Sequence, residues 1–359
     1  MPRAALAAFV LVLAGCAVVE RAPPPRAVDP HDLPPGLAVD AGWRSNLAAA
    51  SLYAAMAYGA REDQAMLERA GGDAIRARMP GLDIERRLEL LASRGLHGAY
   101  VAPSLWIMPW IHHPELYVVG DARRRSLTLI FVGSNDAGDW YQNLKPDAVE
   151  DAGRPGEYYI PTGHAGFRRG VLNLVGIGFF DRVLPQLASS WNIPAGTDGR
   201  IDLFVVGHSL GAAEALLCMP ALDGWRHAGG VADDGGFRLE RMPGPWAVRG
   251  AFLIAPPYAL SSDEFLDPRL DAGRWRRDAA GYAWMTRHYG HLVWNAIHDA
   301  DPVSRLYDPR NIHEVSMKHL GRLVRIRGDG SLHIEESPAW GNLRPHDPWT
   351  YWRALRDEP

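Results

Sequence analysis

Residues Ile201 to Cys218 read I-D-L-F-V-V-G-H-S-L-G-A-A-E-A-L-L-C, and this stretch decides the fold. Ile201 to Val206 is a short run, apolar but for Asp202, with the length and composition of a buried strand. Ala212 to Cys218 is rich in Ala and Leu, which favours helix. Between them stand Gly207, His208, Ser209, Leu210 and Gly211, so the strand must turn tightly into the helix. Glycines two places before and two places after Ser209 remove the Cβ atoms that would clash in such a turn.

Outward from that stretch the period alternates. Asn46 to Arg69 is Ala-rich and predicts a helix, with Leu47, Leu52, Ala55 and Met56 on one face. Ile84 to Ser93 predicts a second helix, closed by Gly95 as its C-terminal cap. Leu116 to Val119 and Ser126 to Val132 are β-rich runs around the polar turn G-D-A-R-R-R, which predicts two paired strands. Val248 to Ile254 and His291 to Ile297 predict further strands, as do Leu323 to Arg327 and Ser331 to Glu335 around G-D-G. Strands alternating with helices predict an α/β fold with a mostly parallel central sheet. No internal repeat and no second domain boundary is visible from residue 41 to 359. The Gly-, Pro- and Arg-rich stretches 223–246 and 262–290 read as insertions into that one domain.

Composition narrows the function. The chain has 359 residues, 47% apolar, which is ample for a real core. With 38 basic against 42 acidic side chains and no basic run, it carries no electrostatic footprint for nucleic acid. Two cysteines, Cys16 and Cys218, exclude a disulfide scaffold and a cysteine zinc cage. Cys218 reads as a small buried apolar residue. Trp106, Trp110 and the pair His112-His113 have no metal-ligand spacing around them, and no H-E-x-x-H, G-x-G-x-x-G or P-loop occurs. The expectation is therefore no metal and no cofactor.

The chemistry centres on Ser209. In a G-x-S-x-G turn between strand and helix, the serine is lifted above the sheet on a strained backbone, beside the partial positive charge of the helix N-terminus. A serine hydroxyl is a weak nucleophile near neutrality and needs a histidine base oriented by a carboxylate. In hydrolases built on this turn the chain order is serine, acid, histidine. Asp301 is the best-placed acid, following the His291 to Ile297 strand, and Asp299 competes with it. His313, His319, His333 and His346 are the downstream histidines, and spacing does not choose among them.

From about residue 45 onward the chain resembles the class 3 lipases, the fungal-lipase-like branch of the α/β-hydrolases. The resemblance is a series of short motifs in order. L-T-L-I-F-V-G-S-N-D-A-G-D-W is similar to a strand ending F-R-G-T/S, and H-A-G-F at His164 to Phe167 to H-x-G-F. G-H-S-L-G-A-A-E-A carries the nucleophile, F-L-I-A-P-P is similar to T-F-G-x-P-R, and D-P-V-S-R-L to D-P-V-P-R-L. H-D-P-W-T-Y-W is similar to a terminal H-x-x-x-Y. The resemblance implies an α/β-hydrolase fold and a triad of Ser209, Asp301 and His346, with His319 structural. It implies an oxyanion hole from Ser134 and the backbone N–H of Leu210. It further implies hydrolysis of carboxylic esters, acyl lipids among them, with a phospholipase A1-type activity as the neighbouring reading. A non-catalytic envelope lipoprotein on a degenerate hydrolase fold is the alternative from another class. Val132, Ser304 and Pro257 stand where the family has Arg, Pro and Arg, and none of these changes removes a catalytic group. Residues 135–144, N-D-A-G-D-W-Y-Q-N-L, fall where fungal lipases carry a lid, with a polar tip.

The N-terminus adds an address. Met1 to Cys16 read M-P-R-A-A-L-A-A-F-V-L-V-L-A-G-C. One charge at Arg3 precedes an apolar run that, at about 1.5 Å per residue, spans only half a bilayer. That is the pattern of a secretory signal, and its L-A-G-C ending resembles a bacterial lipobox. The resemblance implies cleavage after residue 15, acylation of Cys16 and attachment to the membrane through it. Ala17 in the following position implies the outer membrane of the bacterial envelope. Residues 16–40, Pro- and Arg-rich, then read as a tether.

Overall fold

The computed structural model describes residues 37–38, 41–57, 91–92, 95–101, 116–133, 148–149, 153–231, 237–242, 244–261, 272–298, 301, 317–327 and 332–334. Its central sheet has eight strands, numbered here in chain order: β1 (His97–Val101), β2 (Leu116–Asp121), β3 (Ser126–Phe131), β4 (Ile201–His208), β5 (Trp246–Ile254), β6 (Val293–His298), β7 (Arg322–Ile326) and β8 (Leu332–Ile334). Their order across the sheet is their order in the chain. β3 to β7 are parallel neighbours, while β1–β2, β2–β3 and β7–β8 pair antiparallel at the flanks.

Among the described residues five α-helices accompany the sheet: α1 (Trp43–Ala57), α2 (Ala165–Gly176), α3 (Leu184–Ser190), α4 (Leu210–Leu222) and α5 (Ala272–Tyr289). Parallel strands laid down in one direction with right-handed crossovers send all their connecting helices to one face. Accordingly Phe167, Val171 and Leu174 of α2, the buried face of α4, and Met285 and Tyr289 of α5 share one core with Leu129, Val205 and Leu253 of the sheet. α1 covers the opposite face, together with Leu37 and Leu91. There Leu47, Ala50, Tyr53 and Ala54 close over Ile130, Phe204, Val206, Ile254 and Val324. Because both faces are covered, β4 reads as a continuous apolar run rather than an alternating one.

Several elements differ from the sequence expectation in instructive ways. The N-terminal helix begins at Trp43, and ordered packing reaches back to Leu37, which is buried. Asn46 holds that segment by donating to the Ala38 carbonyl (2.8 Å) and accepting from the Ala38 N–H (3.1 Å). Gly95 agrees with the expectation, standing as a cap in the left-handed conformation (φ 71°). Its N–H donates to Ala92 O and the next N–H to Leu91 O, the paired bonds of a Schellman ending. The strand His97–Val101 had no clear signal in H-G-A-Y-V. The two stretches read as insertions hold regular structure: a hairpin of Trp225–Val231 with Phe237–Arg241, and α5, which is the crossover between β5 and β6.

One irregularity sets the phase of the strand beside the serine. Leu203 pairs with Val248 but Phe204 pairs with Gly250, so Arg249 is an extra residue in β5. Its guanidinium is bound by Asp202 (2.6 Å) and Asp198 (2.7 Å). The bulge lets Val248 and Leu253 face the same core although they are an odd number of residues apart. It also brings Ile254 opposite His208.

Candidate active site

The C-terminal ends of parallel strands gather on one edge of such a sheet, and ligands of open α/β folds bind there. β4 ends on that edge at His208, and α4 begins at Leu210. Ser209 alone joins them, with φ 55° and ψ −126°, a region that side-chain-bearing residues avoid. Strain of this kind persists only where surroundings enforce it. Here the Ser209 N–H donates to the Ile254 carbonyl on β5 (3.0 Å), and the Ser209 carbonyl accepts from Ala212 N–H (3.0 Å).

The flanking glycines are required by contact, not only by conformation. A Cβ on Gly207 would lie 2.5 Å from the Ala212 Cα and 2.6 Å from the Gly211 carbonyl oxygen. A Cβ on Gly211 would lie 2.5 Å from the carbonyl oxygens of both Phe131 and Val132. The first turn of α4 therefore rests directly on the backbone at the end of β3. That close approach brings Gly133, buried and the last described residue after β3, beside the turn.

Asp301 follows β6, its N–H donating to the His298 carbonyl (2.9 Å), and it is fully buried. Ser209 and Asp301 thus stand on one edge, at the ends of strands separated by β5 alone. Two strand spacings amount to about 10 Å. A histidine ring hydrogen-bonded at both nitrogens spans roughly 8 Å from oxygen to oxygen, and the two side chains supply the remainder. Of the four histidines, His319 precedes β7, its ring flat on Tyr258 (4.1 Å, 28°) and its carbonyl bound by the Tyr282 hydroxyl. His333 lies in the edge strand β8, opposite Arg325 and four strands from β4, which is about 19 Å. His313 and His346 lie outside the described residues, as do Asp299, Ser134, Cys16, residues 135–144 and the Trp106–His113 region.

Buried titratable groups lie on and around the serine helix, among them His164 and Cys218. His164, at the start of α2, is fully enclosed against Phe167 (4.2 Å between rings), and burial lowers its pKa to about 3. The Cys218 thiol on α4 is enclosed too, and burial, then the Glu214 carboxylate, push its pKa well up, so it stays a neutral thiol. Among the described residues no three His, Cys, Asp or Glu side chains come together as a metal would need. Nor is any single described helix long and apolar enough to cross a membrane.

The sequence did not single out Ala255, directly after β5. It is one of four non-glycine residues with positive φ among the described residues (51°). No local signal gave this angle, since a residue before a proline is biased toward extended backbone with negative φ.

No protein-family model and no curated protein sequence matches this chain. Solved structures do. The lipase from Rhizopus microsporus var. chinensis is 14% identical, covering 91% of this chain and 92% of its own, with a TM-score of 0.47. Lipase II from Rhizopus niveus is 17% identical over 72% of this chain and 77% of its own, TM-score 0.45. A triacylglycerol lipase from Penicillium expansum is 16% identical over 71% of this chain and 83% of its own, TM-score 0.43. The mostly parallel sheet, the flanking helices and the strand–serine–helix turn make the architecture of this chain an α/β-hydrolase fold.

Proposed function

We propose that the chain is a serine hydrolase of carboxylic esters, with acyl lipids as its substrate class, working without a cofactor. The observation that carries this reading is Ser209 itself, held in a left-handed conformation at a turn with no room for a side chain at Gly207 or Gly211. A backbone so constrained has no structural purpose at an ordinary strand-to-helix connection, where relaxed turns are available.

In this reading His346 is the base and Asp301 holds its imidazole. Ser209 Oγ bonds to the acyl carbon as its proton passes to His346 Nε2, and the carbonyl oxygen becomes an anion. The Leu210 N–H, in the first turn of α4 where helical N–H groups lack intrahelical acceptors, donates to that anion. Ser134, one residue beyond Gly133, supplies the second donor, and each donor lowers the barrier by about 3 kcal/mol. The ester C–O bond then breaks and the leaving alcohol takes the proton from His346. Water, deprotonated by the same ring, attacks the acyl-enzyme and releases the acid with Ser209 restored.

The proposal extends to the N-terminus: Cys16 is acylated after removal of residues 1–15, and the enzyme works at the bacterial envelope.

A fluorophosphonate probe tests the chemistry. Folded wild-type protein should be labelled, and Ser209→Ala should remove the label. His346→Ala should abolish ester turnover, whereas His319→Ala should retain it. Absence of labelling in folded protein, or labelling that survives Ser209→Ala, would end the enzyme reading. Full turnover in His346→Ala would reassign the base.

A further inference from the structure

Among the described residues four non-glycine positions have positive φ, and they fall into two kinds. Arg125 closes the β2–β3 turn, and Asn192 follows α3; turns and helix ends are where such angles recur. Ser209 (φ 55°) and Ala255 (φ 51°) are different. They sit at the ends of adjacent parallel strands and are tied through one peptide. The Ser209 N–H donates to the carbonyl of Ile254, the residue covalently before Ala255, and the Ala255 N–H donates to the Ala296 carbonyl on β6 (2.9 Å). The strained nucleophile position therefore hangs on a carbonyl whose orientation is set by the next strained residue along.

Glycine would adopt φ 51° without cost, yet the position is an alanine, with no exposed surface. Its methyl belongs to the α1-side core, in the same cluster as Ala50, Ala54, Ile254 and Ala296. That core grips the one atom that distinguishes alanine from glycine. We propose that Ala255 is a positioning residue for the nucleophile: the packed methyl locks the left-handed end of β5, which fixes the Ile254 carbonyl and through it the Ser209 backbone. It also ends β5 at the point that an imidazole joining Ser209 to Asp301 must cross, since β5 is the strand between them. The inference rests on the serine-hydrolase reading above.

The test compares two substitutions on the full chain. Ala255→Gly removes the grip and the strain together, so its melting midpoint should stay within about 3 °C of wild type. Its second-order rate of fluorophosphonate labelling should nevertheless fall about tenfold, because a loosened reacting atom loses its alignment. Ala255→Ser keeps the Cβ in the core and should label within about threefold of wild type. A purely structural residue would show labelling that follows stability, with glycine as reactive as alanine. If wild type labels and Ala255→Gly labels equally fast, the positioning role is wrong while the enzyme reading stands. If folded wild type fails to label at all, both fall together.

Discussion

At the residue scale, Ser209 and His164 show how burial converts an ordinary side chain into a constrained one. His164 is fully buried, and its pKa drops from the usual 6.5 to about 3 because the charged ring loses its hydration. In the unfolded chain the same ring takes up a proton below about pH 6.5. A group whose folded pKa is depressed supports the fold above its unfolded pKa. That support is lost progressively as pH falls from about 6.5 toward the folded value near 3. One proton corresponds to about 1.4 kcal/mol per pH unit, so His164 alone should remove about 2 kcal/mol between pH 6.5 and 5. His164→Gln should flatten this part of the profile relative to wild type. Urea denaturation at pH 7 and pH 5 checks it: equal pH dependence in the two proteins would mean that His164 is charged or accessible in the fold. The motif H-A-G-F marked this histidine in the sequence, but nothing local showed that it would be enclosed. Its burial arises from the approach of remote segments, with Gly163 pressed against the Ala259 carbonyl and Leu217.

At the scale of elements, one carboxylate ties the hairpin after α4 to two helices. Asp223, at the C-terminal end of α4, accepts from the Trp225 indole (3.2 Å) and the Tyr289 hydroxyl (3.3 Å), and pairs with the Arg241 guanidinium. These contacts join the helix, both hairpin strands and α5 at one point. Aromatic packing then fills the junction, with Trp284 edge-on to Trp225 (5.1 Å) and stacked on His288 (4.2 Å). Asp223→Ala leaves an indole and a hydroxyl without their acceptor, at a cost of about 2 kcal/mol. Amide exchange across Trp225–Arg241 should accelerate while the β3–β6 amides keep their protection. Uniform acceleration would show instead that the hairpin does not open separately. The two strands flanking the serine turn were readable because β4 and β5 are apolar runs bounded by turn residues. The hairpin and α5 were not, because their Gly- and Arg-rich segments draw their order from aromatic contacts with distant residues.

At the scale of the whole molecule, the domain packs from Leu37 onward, and residues 17–36 separate that point from Cys16. Fully extended, this is at most about 75 Å of chain. If Cys16 carries acyl chains, they tie the protein to a bilayer, since each buried CH₂ contributes about 0.8 kcal/mol. Cys16→Ser should then move the full-length protein from the membrane fraction to the soluble fraction of a bacterial host, with fluorophosphonate reactivity of Ser209 unchanged. Persistent membrane association of Cys16→Ser would rule out the acyl anchor.

What the sequence determined by itself is short in range. The strand–turn–helix at Ser209, the glycines on either side and the G-D-A-R-R-R turn follow from residues within a few places of one another. Side-chain size and backbone freedom decide such features locally. The placement of α1 over the second face, the Arg249 bulge and the left-handed Ala255 were decided only by the tertiary structure. Each depends on strands far apart in the chain coming into register. Asp301 shows both sides. Its acidity and its position after a strand were legible, whereas its complete burial one strand beyond β5 needed the sheet order β4, β5, β6. That order is set by packing of whole faces, which no short stretch of sequence encodes.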